Sequence, residues 1–270
     1  MKKVNMLTLL PVFFGFFVMG FVDVVGIATE YVKVDFELSE QVSGFLPSMV
    51  FLWFFLLAIP SASLMNRIGR KNTVLLSMVI TLVGMIIPFV SYNMTTCFVA
   101  FALLGIGNTI LQVSLNPLVS NLVKGEMLTS SLTIGQVIKA VSSFSGPFIV
   151  SFALTQLSNW QYMFPIFAAV VLLSGVWLLF TKVEREEQAQ SSSMTSSFAL
   201  LKDKHILLLF LGIVGVVGID VGVNMESAKL LLERLGLDPN LKENIDSVSY
   251  APSVYFFCRT IGAFIGAALL

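Results

Sequence analysis

The sequence predicts an all-α membrane protein, and three observations carry the prediction. Of its 270 residues, 56% are hydrophobic and 12% charged, against about 25% charge in a soluble domain. The apolar residues are gathered into runs long enough to cross the hydrocarbon core, which takes about 20 residues of helix. The Lys and Arg residues crowd into alternate loops, the bias that orients membrane proteins. The mean hydropathy is +0.90.

Taken in order, segment 1 runs from Met6 to Val32 and segment 2 from Val42 to Met65. Segment 3 covers Thr73 to Tyr92, segment 4 Thr96 to Val123, segment 5 Leu128 to Leu154, and segment 6 Trp160 to Thr181. Met1-Lys2-Lys3 opens like a signal peptide, but the apolar run continues without a small-x-small cleavage site. It reads as a retained first span. The stretch Lys182 to Lys204, rich in Glu, Gln and Ser, reads as a cytoplasmic linker. Segment 7 runs from His205 to Leu232, and segment 8 starts near Ser247. The expected organisation is therefore a six-helix half over 1–181, a linker over 182–204, and the start of a second half over 205–270.

Placing the N-terminus in the cytoplasm puts ten Lys/Arg inside, among them Arg67, Arg70, Lys71 and Lys182; three, Lys33, Arg234 and Lys242, fall outside. The bias supports that orientation in a bacterial cytoplasmic membrane. The zero net charge implies no acidic or basic partner and no nucleic acid. Cys97 and Cys258 both lie in apolar runs and read as buried packing residues. His205 reads as interfacial. No Walker loop, metal-ligand spacing, nucleophile elbow or paired-carboxylate constellation is present, so neither an enzyme nor a resident cofactor is expected.

The loop between segments 2 and 3 reads Ala62-x-x-x-Asn66-Arg67-x-Gly69-Arg70-Lys71. It resembles the loop between helices 2 and 3 of the major facilitator superfamily, G-x-x-x-D-R-x-G-R-K. The resemblance implies the major facilitator fold, two halves of six helices each, and makes Asn66, Arg67, Gly69, Arg70 and Lys71 the loop that governs conformational change. Ala62 and Asn66 depart from the pattern. An internal repeat points the same way: Pro47-Ser48 recurs as Pro252-Ser253, and Asp23-Val24 as Asp220-Val221. Parallel repeats of this kind build the two halves of such transporters. In this register Leu270 matches Met65, so the chain is expected to stop within helix 8. The family's complete members are expected to act as monomers in the bilayer.

Charged groups deep in membrane helices are functional candidates by default. Asp23, Lys139, Asp220 and Arg259 lie deep in segments 1, 5, 7 and 8, all helices that line the central cavity of the resembled fold. Asn108, Gln112 and Asn116 are spaced four apart and form one stripe on segment 4; Gln136, Lys139 and Ser143 share a face of segment 5. Asn108, Gln112, Asn116, Gln136, Lys139 and Arg259 are candidates for solute binding, Asp23 and Asp220 for ion coupling. Lys139 is expected to find its counter-charge in Asp23. Glu30, seven residues beyond Asp23, is expected to be solvated. Gly212, Gly215, Gly218 and Gly222 read as a close-packing stripe, or as a place for segment 7 to bend.

Gly107-x-x-Ile110-Leu111-Gln112-Val113-x-x-Asn116-Pro117 looks like helix 4 of the fucose–proton symporter family, and Tyr255-Phe256-Phe257-x-Arg259-x-x-Gly262 like its helix 8. The resemblance implies a proton-coupled symporter for a sugar or sugar-like solute, with the first-helix carboxylate falling on Asp23. The helix-4 carboxylate of that family falls on Gln112, and Lys139 stands where helix 5 usually has a neutral polar residue. An anionic solute such as a sugar acid is the alternative these changes leave open. A non-transporting membrane sensor built on a degenerate transporter fold is another.

Overall fold

The computed structural model describes residues 6–125, 127–183 and 199–269, the side chains as far as 266. Among these residues the chain forms helices and no strand. Segment 1 is α1 (Met6–Met19), a 3-10 turn (Gly20–Val24) and α2 (Val25–Asp35). Segment 2 is the short α3 (Glu40–Ser43) followed by α4 (Phe45–Ile68). Segments 3, 4 and 5 are α5 (Arg70–Val90), α6 (Met94–Leu122) and α7 (Met127–Leu157). Segment 6 is a 3-10 turn (Trp160–Tyr162) and α8 (Met163–Phe180). Segment 7 is α9 (Lys204–Leu235). Segment 8 starts earlier than expected and is broken in two, α10 (Lys242–Val248) and α11 (Ala251–Leu269). Most of the expected linker, 184–198, lies outside the described residues.

Among the described residues, seven helices are long and apolar enough to cross a membrane, and the protein is a multi-pass membrane protein. Their boundaries follow from local chemistry. Asn93 and Thr96 form a reciprocal capping box that starts α6. Asp203 accepts from the backbone N–H groups of His205 and Ile206 and starts α9. Gly236, in the left-handed conformation, ends it.

Aromatic side chains dominate the core between α1, α2, α5, α6 and α8. Phe16, Phe21, Tyr31, Trp160 and Phe167 are fully buried. Phe21 and Phe167 pack with ring centroids 4.4 Å apart, and Tyr31 stacks on Trp160 at 5.1 Å. The outward faces are apolar too, as the lack of water in a bilayer requires.

The basic loop closes one end of the bundle. Gly69, at φ 88° and ψ 155°, turns the chain from α4 into α5. That region is open to glycine almost alone. Lys71 then donates to the carbonyls of Leu179 (2.8 Å) and Thr181 (2.7 Å) at the end of α8. Arg70 donates to the Pro117 carbonyl at 2.7 Å and to the Asn121 side chain at the end of α6. Lys71 sits where helix carbonyls lack donors, and both cations lie towards the negative ends of helix dipoles. Gly69→Ala is expected to cost about 1–3 kcal/mol, read as a lower melting temperature of the purified protein. An unchanged melting temperature would show that the turn relaxes freely.

Two expectations fail here. Among the described residues, nothing lies within 4 Å of a Cβ placed at Gly212, Gly215, Gly218 or Gly222, so none of them is a close-packing partner of these glycines. The close approaches fall on glycines of the first five segments instead, among them Gly20, Gly26, Gly105, Gly107 and Gly146. Cys97 is buried as expected, but Cys258 is exposed, because it lies on the outward face of α11.

Candidate functional site

The site is organised around the 3-10 turn that interrupts the first span. Gly20 has no side chain, and the turn seats against the backbone of α7: a Cβ at Gly20 would meet the Lys139 carbonyl at 2.7 Å and Ser142 Cβ at 2.6 Å. Asn108 of α6, 2% exposed, donates to the carbonyl of Met19 at 2.9 Å, just before the turn. Asn224 of α9 donates to the carbonyl of Asp23 at 2.8 Å. Side-chain amides from two other helices thus bind backbone carbonyls of the broken stretch. A 3-10 stretch inside a long helix often marks a functional hinge.

The turn presents the half-buried Asp23. Its Oδ2 accepts a hydrogen bond from Ser143 Oγ at 2.5 Å, and the same hydroxyl lies 2.9 Å from the Lys139 carbonyl. The expected Lys139–Asp23 ion pair is not formed. Among the described residues, no carboxylate lies within ion-pair distance of Lys139, which is half-buried on α7. Ser143, one turn further along α7, reaches Asp23 first because the turn lies against the backbone there.

Across the junction, Asp220 of α9 has both carboxylate oxygens engaged by α11. Arg259 Nη2 lies 3.2 Å from Oδ2, and the Tyr255 hydroxyl donates to Oδ1. Tyr255 and Arg259 are four residues apart and share one helix face. Arg259 is therefore held by a carboxylate rather than standing free for solute. Tyr255 was not among the candidate residues; its place one turn before a deep arginine was the available signal. Ser253 of α11 donates to the Phe144 carbonyl of α7 at 3.1 Å, so α11 is seated on the helix that carries Lys139 and Ser143.

The α6 stripe divides. Asn108 is committed to backbone, and Gln112 Nε2 donates to Asn108 Oδ1 at 3.3 Å. Asn116 Oδ1 is buried without a hydrogen-bond partner among the described residues. Gln136 is half-buried on α7. Asn66, Arg67, Gly69, Arg70 and Lys71 lie at the opposite end from Lys33; Arg67 is exposed and Asn66 half-buried.

At the Lys33 end, Glu30 corrects another expectation. It is 2% exposed rather than solvated, and Lys229 of α9 lies 3.6 Å from its Oε1. Nearby, Asp35 Oδ2 accepts from the Tyr92 hydroxyl at 2.7 Å and from Trp160 Nε1 at 2.9 Å. Burial, reinforced by Asp35, pushes the Tyr92 phenol above its usual range, so it acts as a donor.

The sequence model of the Major Facilitator Superfamily matches residues 12–270. The chain belongs to that superfamily. It is 27% identical over 273 residues to a glucose/galactose transporter of Brucella abortus biovar 1 (strain 9-941), the match covering 94% of the chain and 65% of the relative. The same identity and coverage hold for a glucose/galactose transporter of B. abortus strain 2308. The chain thus spans just under two thirds of the length of these curated relatives. Among solved structures, a bacterial homologue of the human lysosomal transporter Spinster, inward-facing and unoccupied, aligns at TM-score 0.71 and 17% identity, over 98% of this chain and 63% of that one. A D-xylose–proton symporter aligns at TM-score 0.63 and 16% identity, over 94% and 67%. The fold of this superfamily member is therefore the one expected from its basic loop and internal repeat.

Proposed function

We propose that the protein is a secondary active transporter that carries a sugar or sugar-like polar solute across the cytoplasmic membrane with protons. The observation that carries this reading is Asp23: an ionisable group held on a broken membrane helix, at the junction with α7 and α9, by a single serine hydroxyl. A carboxylate in such a place can take and release a proton as its surroundings change. Discontinuous helices near mid-membrane are where transporters place substrate and coupling ions. The names of the Brucella relatives and of the xylose neighbour support a sugar, and that neighbour's name supports protons.

In this reading Asp23 is the coupling group, and Asp220 a second one held by Arg259 and Tyr255. Gln112, Asn116, Gln136 and Lys139 face the solute, with Asn108 fixing the turn. The N-terminus, the basic loop and 182–204 lie in the cytoplasm, and the complete protein works as a monomer of two halves. Lys139 favours a second reading, in which the solute carries an acidic group. An ammonium deep in a span needs an anion, water or an acidic ligand.

The test is uptake by proteoliposomes of the complete gene product with an imposed pH gradient. Labelled glucose or galactose is expected to accumulate, and a protonophore to abolish accumulation. Preference for a sugar acid such as gluconate would favour the second reading. No accumulation and no exchange of either class would sink the transport reading.

A further inference from the structure

Charged groups at the Lys33 end are brought together from three elements. Lys229 Nζ on α9 lies 3.6 Å from Glu30 on α2 and 3.7 Å from Glu40 on α3. It is also 3.8 Å from Glu226 on its own helix. Lys33 of α2, itself buried, donates to the same Glu40. A second bridge joins Asp35 at the end of α2 to Lys242 at the start of α10. Asp35 is in turn fixed by Tyr92 and Trp160. Both bridges therefore tie the first two segments to the chain that follows the linker.

The position of α9 gives these bridges their meaning. Every residue from Lys204 to Ile219 is exposed, and burial begins only at Asp220 and continues towards Leu235. Among the described residues, α9 thus meets the first six segments along the Lys33 half of its length. In the basic loop, Arg70 bonds to α6 and Lys71 to α8. The ion pairs of Lys229 and Lys242 join the two parts at the Lys33 end, beside the hydrogen bonds of Asn224 to Asp23 and of Ser253 to Phe144.

We propose that Lys229, clamped between Glu30 and Glu40, and Lys242 on Asp35 form a two-point latch that shuts the Lys33 end of the path leading to Asp23. The latch rests on the transport reading and adds to it a residue-level device for closing that end. Separating α9 from α2 takes Lys229 from the buried Glu30 and leaves it only the charge of Lys33 on its own helix, which raises the cost of keeping it ionised. The closed state is favoured for as long as both bridges stand. Opening requires them to break together, since each joins the same two bodies.

The test follows a cysteine at Ser227, a half-buried position two residues before Lys229 whose hydroxyl is buried without a hydrogen-bond partner among the described residues. Cys97 and Cys258 are replaced, and the complete protein in nanodiscs is treated with a soluble maleimide. Lys229→Gln is expected to raise the labelling rate about tenfold, as the open minor state becomes well populated. Lys229→Arg keeps the slow rate. Lys242→Gln, at the more exposed bridge, raises the rate without touching Glu30. The double variant Glu30→Gln/Lys229→Gln removes both charges and stays fast. Unchanged rates in both Lys229→Gln and Lys242→Gln overturn the latch. So does a return to slow labelling in the double variant, because the effect would then come from a stranded carboxylate. Labelling needs neither solute nor gradient, so failed uptake beside fast labelling would count against the transport reading and not against the latch.

Discussion

Proton-driven accumulation is expected to fall to the level of empty vesicles in Asp23→Asn, while exchange of solute down its own gradient persists. Asn is close in shape to Asp, and its Oδ1 can still accept from Ser143, which now lies 2.5 Å from the carboxylate. The backbone bond from Asn224 to the Asp23 carbonyl is untouched by the change. The turn should therefore keep its shape. What is lost is the proton, since an amide does not titrate between pH 4 and 9. Ser143→Ala tests the same contact from the other side. It keeps the carboxyl but removes the hydroxyl that holds it. Uptake is expected to weaken but to remain proton-driven, because the ionisable group is still there. Normal accumulation by Asp23→Asn would end the assignment and transfer coupling to Asp220.

The second large effect is on folding. Gly20→Val is expected to prevent α1 from seating on α7 and to lower the melting temperature by several degrees or more. The new Cβ would lie 2.7 Å from the Lys139 carbonyl and 2.6 Å from Ser142 Cβ. Neither can rotate away, since one is backbone and the other is fixed to it. Overpacking typically costs about 1–3 kcal/mol and occasionally more, and relief here requires moving a whole helix. Gly212→Val on α9 is the control, because open space surrounds that position among the described residues. It should melt with the unmodified protein. Equal melting temperatures for both variants would show that the turn and α7 separate easily.

Much of this protein was legible in the sequence. Helix class and the places of the first seven spans follow from hydropathy, because a bilayer forces every backbone group to be satisfied within its own helix. The basic loop and the Pro47/Pro252 and Asp23/Asp220 repeats were enough to indicate the superfamily. Gly69 was legible as part of a motif, although only its positive φ explains why glycine is required there.

Tertiary structure decided which charges meet. Asp23 and Lys139 are both deep, and depth alone paired them. The 3-10 turn, which hydropathy cannot register, carries Asp23 to Ser143 instead. Glu30 looked like a residue at a wet rim until α9, two hundred residues away in sequence, brought Lys229 onto it. The glycines of α9 had the spacing of a packing stripe, but spacing does not say whether a neighbour is present. Periodicity fixes which face of a helix a residue lies on. Only packing fixes what that face meets, because the partner comes from a distant part of the chain and its distance depends on how closely two backbones can approach.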